Sequence, residues 1–399
     1  MTDRRRSLAY GLTANVAVLG IVSLLTDVSS EMILPILPFF LTQVLLADAL
    51  ILGLVEGLSE SVVSFLKIVS GRFSDAAGRR KVFVAGGYGL SSVMKLLFPF
   101  SRVWPEFLGM RVLERMGKGI RDAPRDALLT ESTPAETRGK AFGFHRSMDT
   151  TGAIAGPLVT LVLLSTVAVG LSRADGYRLI LLLAAIPAFL SFLVVFLVRE
   201  PVGTPGTKQP LRVTFRGIPR PLLTFIGIAS LFSFADFSYA FLLLRVDGLG
   251  FGTTYAILLY VLFNIVYALH AFPAGILSDR VGRKPVILVG YVAFASMGVL
   301  LATSGGLAVL VIAFILYGLA YGMAEGTQRA LVADFAPRET KATVIGAYHT
   351  CVGLVKLASG IVAGFLWVAV APQATFAFGA VGATVAALAL VAWRVPATS

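Results

Sequence analysis

Long apolar stretches separated by short polar loops run along the whole chain. Crossing the hydrocarbon core of a bilayer, about 30 Å thick, takes roughly 20 apolar residues in an α-helix. Twelve stretches reach that length, so the pattern predicts an all-α integral membrane protein. The predicted spans cover residues 15–40, 49–70, 82–100, 106–129, 141–169, 179–198, 222–244, 253–274, 286–303, 307–333, 344–368 and 375–393.

The composition supports a membrane protein. Of the 399 residues, 57% are hydrophobic and only 14% are charged, whereas a soluble chain carries about a quarter charged residues. This excludes a soluble globular protein. The single cysteine, Cys351, cannot form an intramolecular disulfide, and the three histidines match no metal-ligand spacing. We therefore expect no metal site and no cofactor.

The net charge of +12 is distributed as in membrane proteins rather than nucleic-acid-binding ones. Lysine and arginine cluster in alternate loops, which is the positive-inside pattern, so nucleic acid is not an expected partner. The first apolar stretch is too long for the core of a signal peptide and lacks a small-residue cleavage site, so we expect it to be retained. The loop charges predict a multi-pass protein of the cytoplasmic membrane with both termini on the cytoplasmic side.

An internal repeat divides the chain. Residues 71–81 and 275–285 share the pattern Gly-x-x-Ser-Asp-x-x-Gly-Arg-[Arg/Lys], and each copy lies between two predicted spans. The loops after the fourth and tenth spans also match. Such duplication predicts two pseudo-symmetric six-helix bundles. A proline-rich hydrophilic stretch separates them, which gives an amino-terminal bundle at 1–198, a cytoplasmic linker at 199–220 and a carboxy-terminal bundle at 221–399.

The repeated loop resembles the cytoplasmic signature loop of the major facilitator superfamily (MFS). The resemblance implies a secondary transporter whose two halves rock about a midplane site, with the loop as a latch that holds the halves together in one state of the cycle. A plain solvated turn with positive-inside charge is the alternative. The latch residues implied by the resemblance are Gly71, Asp75, Gly78, Arg79, Gly275, Asp279, Gly282 and Arg283.

Small residues in the fifth span resemble a motif of the drug/proton antiporters of this superfamily. The family pattern continues with a glycine pair, whereas this chain has Thr160 and Leu161. Small residues let helices approach closely, and we expect them to pack helices of opposite halves together. Ordinary helix packing without any role in antiport is the alternative. The motif consists of Gly143, Gly152, Gly156 and Pro157.

Charged side chains inside the spans are the candidate transport residues. Because charges facing hydrocarbon are costly, they should face a cavity or one another. The acids and bases of the first six spans balance, which fits a paired network; pairs that only stabilise the bundle are the alternative. Our candidates for proton coupling and substrate binding are Asp27, Glu31, Glu56, Glu60, Arg111, Arg115, Asp149, Asp236 and Glu325.

A competition for arginine could couple protons to substrate. A buried carboxylate can become neutral, whereas arginine stays charged. If Asp27 or Glu31 is protonated, Arg115 is free to bind an anionic or polar group of the substrate. Loss of the proton lets the carboxylate compete for the arginine. This hypothesis requires the three side chains to share one environment near the middle of the membrane.

The sequence favours a proton-coupled exporter of small amphipathic compounds that acts as a monomer in the lipid bilayer. Proton-coupled uptake of a metabolite or a siderophore-like chelate is the alternative within transport. A non-transporting membrane sensor is an alternative of another class, but it would usually carry an extra soluble domain. An enzyme is not expected, because no nucleophile–base or metal constellation has suitable spacing.

Overall fold

The computed structural model describes residues 13–200, 218–336 and 341–394, and nearly all of these are helical. Most of the predicted linker at 199–220 lies outside the described residues. The helices are α1 (Ala14–Ile33), α2 (Leu37–Phe39), α3 (Ala49–Ala77), α4 (Arg80–Leu97), α5 (Trp104–Glu131), α6 (Arg138–Thr166), α7 (Arg173–Val195), α8 (Arg220–Ala235), α9 (Tyr239–Gly248), α10 (Gly252–Val281), α11 (Arg283–Thr303), α12 (Leu307–Phe335), α13 (Lys341–Ala369) and α14 (Pro372–Ala392).

The predicted spans correspond to these helices. Eleven helical stretches among the described residues are long and apolar enough to cross a membrane. The remaining predicted span is α5, which is too rich in charged residues to qualify by hydropathy. The first predicted span is interrupted after α1, where the chain turns before α2 and a π-helix at Phe40–Val44. Pro35 and Pro38 explain this interruption, because proline has no N–H to continue the helical bonding.

The described helices fall into two compact units. Unit 1 comprises Met1–Leu45 and Val62–Leu211, and unit 2 comprises Leu46–Ser61 and Arg212–Ser399. The start of α3 thus packs within unit 2, whereas the predicted division placed it in the amino-terminal bundle. Gly53 of α3 explains this placement, because a Cβ atom there would lie 1.9 Å from the carbonyl oxygen of Gly360 in α13.

The two units repeat one packing scheme, as the duplicated loops predicted. In unit 1, α1 packs on α6 and α7, and α4 packs on α5 and α7. In unit 2 the equivalent helix α8 packs on α13 and α14, and α11 packs on α12 and α14. Close crossings recur at equivalent places. A Cβ atom on Gly87 would lie 2.5 Å from the Gly117 oxygen, and one on Gly290 would lie 2.9 Å from the Ala320 oxygen.

Candidate functional site

The repeated loops adopt the same turn in both units. Gly78 has a φ of 62° and Gly282 a φ of 92°, in the region that glycine adopts without steric cost. Each glycine directly follows a long helix, α3 or α10. The loop serine bonds back to the preceding turn in both copies. Ser74 Oγ donates to the Gly71 oxygen and Ser278 Oγ to the Gly275 oxygen, each at 2.8 Å. The spacing that the two copies share therefore specifies the end of a helix.

In unit 1 an arginine joins the loop to the end of α5. Arg80 Nη2 lies 2.9 Å from Asp75 Oδ1, and Arg80 Nη1 lies 2.7 Å from Glu131 Oε1. The motif singled out the preceding residue, Arg79, which is exposed just before α4. The loop aspartate thus has a defined partner, but Arg80 supplies it. The role of the loop as a latch stays a prediction.

In unit 2 an arginine also joins the loop to the end of another helix, but it is Arg283, which occupies the motif position of Arg79 rather than that of Arg80. Arg283 forms an ion pair with Asp279, and its Nε atom lies 2.9 Å from Asp334 Oδ2 near the end of α12. Arg283 Nη1 also donates to Ser278 Oγ at 2.6 Å. The neighbouring Lys284 instead bonds the backbone oxygens of Val391 and Trp393. In both loops an arginine therefore joins the loop aspartate to an acid near the end of another helix. In unit 1 this arginine, Arg80, lies one position later in the motif than Arg283 does in unit 2.

The glycines of the fifth span pack against α1 in the same unit. A Cβ atom on Gly152 would lie 2.8 Å from Asp27 Cβ, and one on Gly156 would lie 2.6 Å from Glu31 Cβ. The expectation that these glycines pack helices of opposite halves together is therefore wrong. Because α1 lies so close to Gly152 and Gly156, no side chain larger than hydrogen fits at these two positions. Gly143, by contrast, has open space where a Cβ atom would be.

A hydrogen-bonded chain of side chains lies beside these glycines. Ser23 Oγ of α1 donates to Asp149 Oδ1 of α6, and His145 Nδ1 lies 3.5 Å from Asp149 Oδ2. His145 is buried, and its Nε2 atom has no hydrogen-bond partner among the described residues. Asp27 lies close enough to Asp149 for the two carboxylates to interact electrostatically. Two carboxylates and an imidazole of unit 1 therefore lie close together within spanning helices.

The arginines of α5 surround a buried glutamate. Arg111 Nη1 lies 3.1 Å from Glu114 Oε2, and Arg115 Nε lies 3.6 Å from the same oxygen. All three side chains are at least nine-tenths buried. Sequence reasoning named both arginines but omitted Glu114 from the site, although its spacing on one helical face pointed to it. Glu114 is thus a carboxylate partner of Arg115, and the competition by Asp27 or Glu31 stays a prediction.

A buried lysine of α4 lies against α1. Lys95 Nζ donates to Ser29 Oγ at 3.0 Å and to Ser30 Oγ at 2.8 Å. Its side chain is almost completely buried. The two serine hydroxyls explain how a lysine is held at this helix crossing.

Unit 2 contains a break in a spanning helix. Residues 236–238 separate α8 from α9, and Asp236 has φ −81° and ψ 86°, outside the helical region. Ser238 starts α9 as its N-cap, because its Oγ atom accepts from the Ala240 amide at 3.2 Å. The same hydroxyl donates to Glu56 Oε2 at 3.1 Å. Discontinuous spanning helices are a common way to build a site in a transporter.

The carboxylate at this break is held by α12 and α13. Tyr321 of α12 donates to Asp236, with its hydroxyl 2.9 Å from each carboxylate oxygen. Lys356 of α13 forms an ion pair with Asp236 and also donates to its backbone oxygen at 2.9 Å. Sequence reasoning named Asp236 but not Lys356 or Tyr321 as site residues. The serine N-cap in the middle of an apolar span was the available signal for the break.

Aromatic rings continue from this carboxylate. The ring of Tyr321 lies 4.8 Å from that of Tyr317, which in turn lies 4.8 Å from Phe263. Phe263 also contacts Tyr260, which lies 5.2 Å from Tyr239. The rings connect α10 and α12 with the start of α9, so the break is lined on one side by aromatic surface.

The two remaining candidates of unit 2, Glu325 and Glu60, are less enclosed. Glu325 is exposed, and it forms an ion pair with Arg329 at 2.8 Å. It also accepts from Tyr267 at 3.0 Å. Glu60 is exposed on α3. These carboxylates are therefore more accessible than Asp236 or Glu56, which are buried.

The fold and these buried charges define a membrane transporter built from two repeated helix bundles, and comparison with known proteins identifies its family. The sequence profile of the Major Facilitator Superfamily matches residues 19–262 and 223–399. The chain is also 39% identical over 386 residues to an MFS-type transporter of Methanocaldococcus jannaschii, with 95% of each chain covered. The chain belongs to the major facilitator superfamily.

More distant similarities agree with this assignment. The multidrug resistance protein MdtG of Klebsiella pneumoniae is 26% identical over 218 residues, which is 52% of this chain and 50% of that protein. A crystal structure of the nucleoside transporter NupG matches with a TM-score of 0.76 at 16% identity, covering 96% of this chain and 99% of NupG. The latter similarity concerns the fold alone.

Proposed function

We propose that this MFS transporter is a proton-coupled exporter of small amphipathic compounds in the cytoplasmic membrane, working by alternating access. The observation that carries the proposal is the set of carboxylates buried in its spanning helices. Asp149 shares hydrogen bonds with Ser23 and His145, and Asp236 pairs with Lys356. A charged group at this depth is costly unless it is paired or neutralised, so such groups are suited to binding and releasing protons.

Three further observations favour amphipathic substrates and export. The aromatic rings beside Asp236 offer an apolar surface next to a charge, which suits a molecule with both characters. The similarity to MdtG, which is named a multidrug resistance protein, favours export. The glycines of α6 resemble the antiporter motif, and their packing against Asp27 and Glu31 brings that motif beside two candidate coupling residues.

Proteoliposomes distinguish export by antiport from uptake by symport. We would reconstitute the purified protein with pyranine in the lumen and use ethidium, an aromatic cation, as the probe. Antiport predicts ethidium accumulation and lumenal alkalinisation when the lumen starts acidic. Symport predicts accumulation only when the outside starts acidic. Protein-free liposomes give the background.

The proposal would be contradicted if neither ethidium nor any of a panel of other amphipathic dyes moved in response to the proton gradient.

Cysteine labelling tests the proposed orientation. The chain has one cysteine, so Cys351→Ala gives a cysteine-free background. Ala76 and Arg173 are exposed at opposite ends of spanning helices of unit 1. In intact cells, an impermeant maleimide should label Arg173→Cys and leave Ala76→Cys unlabelled. The reverse result would contradict cytoplasmic termini.

A further inference from the structure

The helix break in unit 2 holds a lysine ammonium against a carboxylate. We propose that this break is a binding site for the ammonium group of an organic amine, and that Lys356 occupies the site when no amine is bound. The amine would displace Lys356 from Asp236. The inference rests on the proposed export function and deepens it by naming the substrate class as amines attached to an apolar or aromatic body.

The break exposes an extra acceptor for a cation. In a continuous helix the oxygen of Asp236 would accept from the amide of Ala240, four residues later. Here the Ala240 amide donates to Ser238 Oγ at 3.2 Å instead. The Asp236 oxygen is thereby released and accepts from Lys356 Nζ at 2.9 Å. An ammonium group has three N–H donors, and this residue offers it a carboxylate and a carbonyl together.

The two partners differ in how firmly they are held. The Asp236 side chain is only 7% exposed and is fixed by the Tyr321 hydroxyl at 2.9 Å from both oxygens. The Lys356 side chain is 22% exposed and carries its charge on a flexible four-carbon stem. The carboxylate is thus a preformed acceptor, whereas the ammonium can move away without any backbone change.

The neighbouring rings favour a cation over an anion. The faces of Tyr and Phe rings attract positive charge, and the same rings bury apolar surface. Tyr321 bonds to the carboxylate, and the rings of Tyr317 and Phe263 continue from it, with centroids 4.8 Å apart between neighbours. The charged group of a carboxylate substrate paired with Lys356 would not be attracted to the ring faces. An aromatic or aliphatic amine would use both the carboxylate and the rings.

The surrounding charges favour the same class. Glu56 of α3 accepts from Ser238, the N-cap of α9, at 3.1 Å, and Glu325 acts electrostatically on Asp236. Arg329 forms an ion pair with Glu325. Once the Lys356 ammonium leaves, the acids outnumber the bases around the break. Attraction between opposite charges then favours an entering cation.

Binding measurements without a membrane gradient test this site separately from transport. We would titrate the purified wild type, Lys356→Ala and Lys356→Met with phenethylamine by calorimetry at neutral pH. Removing the competing ammonium should strengthen phenethylamine binding about tenfold in both variants, a change that corresponds to about 1.4 kcal/mol. Asp236→Asn should abolish the binding in every background. Lys284→Ala, which removes a lysine bonded to α14, should leave the affinity at the wild-type value.

One neutral and one anionic probe test which ligand charge the site prefers. 2-Phenylethanol and 3-phenylpropionate keep the ring and replace the ammonium. Neither should bind more tightly when Lys356 is replaced. The proposal is overturned if folded Lys356→Ala and Lys356→Met bind phenethylamine no better than wild type, or if 3-phenylpropionate binds the wild type through Lys356. Loss of ethidium transport with intact phenethylamine binding would instead contradict only the proposed export.

Discussion

The two units share one packing scheme but accommodate their buried charges differently. In unit 1 the charges lie on continuous helices and are paired with other side chains, as Arg111 and Arg115 are with Glu114. In unit 2 the main buried acid, Asp236, lies where the helix itself is broken, and a lysine binds its side chain and backbone together. The comparison teaches that one duplicated fold can meet the cost of a membrane charge in two ways.

Neutralising a buried glutamate should have the largest effect. Glu114→Gln leaves two buried arginines without their shared carboxylate. Removing one partner of a buried ion pair costs about 3–5 kcal/mol. Glu325→Gln breaks the exposed pair with Arg329, and such pairs contribute only about 0.2–1 kcal/mol. Thermal unfolding in detergent should therefore fall steeply for the first variant and little for the second. Equal losses would contradict the role of Glu114 as the buried partner of the two arginines.

Adding a methyl group where α6 crosses α1 should have a smaller but clear effect. In Gly156→Ala the new Cβ atom would lie 2.6 Å from Glu31 Cβ and 2.8 Å from the backbone of α1. Such overpacking costs about 1–3 kcal/mol. Gly143→Ala lies on the same helix in open space, and alanine should stabilise it by up to about 1 kcal/mol. Opposite shifts in melting temperature are expected. A higher melting temperature for Gly156→Ala would contradict the close approach.

Substitutions in the signature loop should change stability least. Their effect is therefore measured as a change in transport. Arg80→Ala removes the cation that joins Asp75 to Glu131, whereas Arg79→Ala removes an exposed charge. Because exposed ion pairs contribute about 0.2–1 kcal/mol, both variants should fold. If the loop is a latch, ethidium transport should slow in Arg80→Ala and stay near wild type in Arg79→Ala. A loss confined to Arg79→Ala would contradict the assignment of Arg80.

Most of the fold could be predicted from the sequence, because hydrophobic length alone marks a membrane span. The span at α5 was also predicted, although its charged residues keep its hydropathy below that of the other spans. The interruption between α8 and α9 was not predicted. Apolar residues flank it on both sides, so the average hydropathy hides a break that depends on the local bonds of Asp236 and Ser238.

The sequence nominated candidate residues but not their partners. Charges inside apolar spans pointed to Asp149, Asp236 and both arginines of α5. The partners Lys356 and Tyr321 of Asp236 come from other helices far along the chain, whereas His145 lies four residues before Asp149 on the same helix. A single sequence carries no distance between helices, and this also explains why Arg80 was missed in favour of Arg79.

We assign the main proton-coupling role to Asp27 and Glu31 of unit 1 and substrate binding to the break in unit 2. Ethidium movement in proteoliposomes tests this division most directly, using Asp27→Asn combined with Glu31→Gln. We expect the double variant to lose accumulation against a gradient but to keep downhill movement, because neutral side chains remove the proton requirement and leave the Asp236 site intact. Undiminished proton-driven accumulation in this variant would contradict the account.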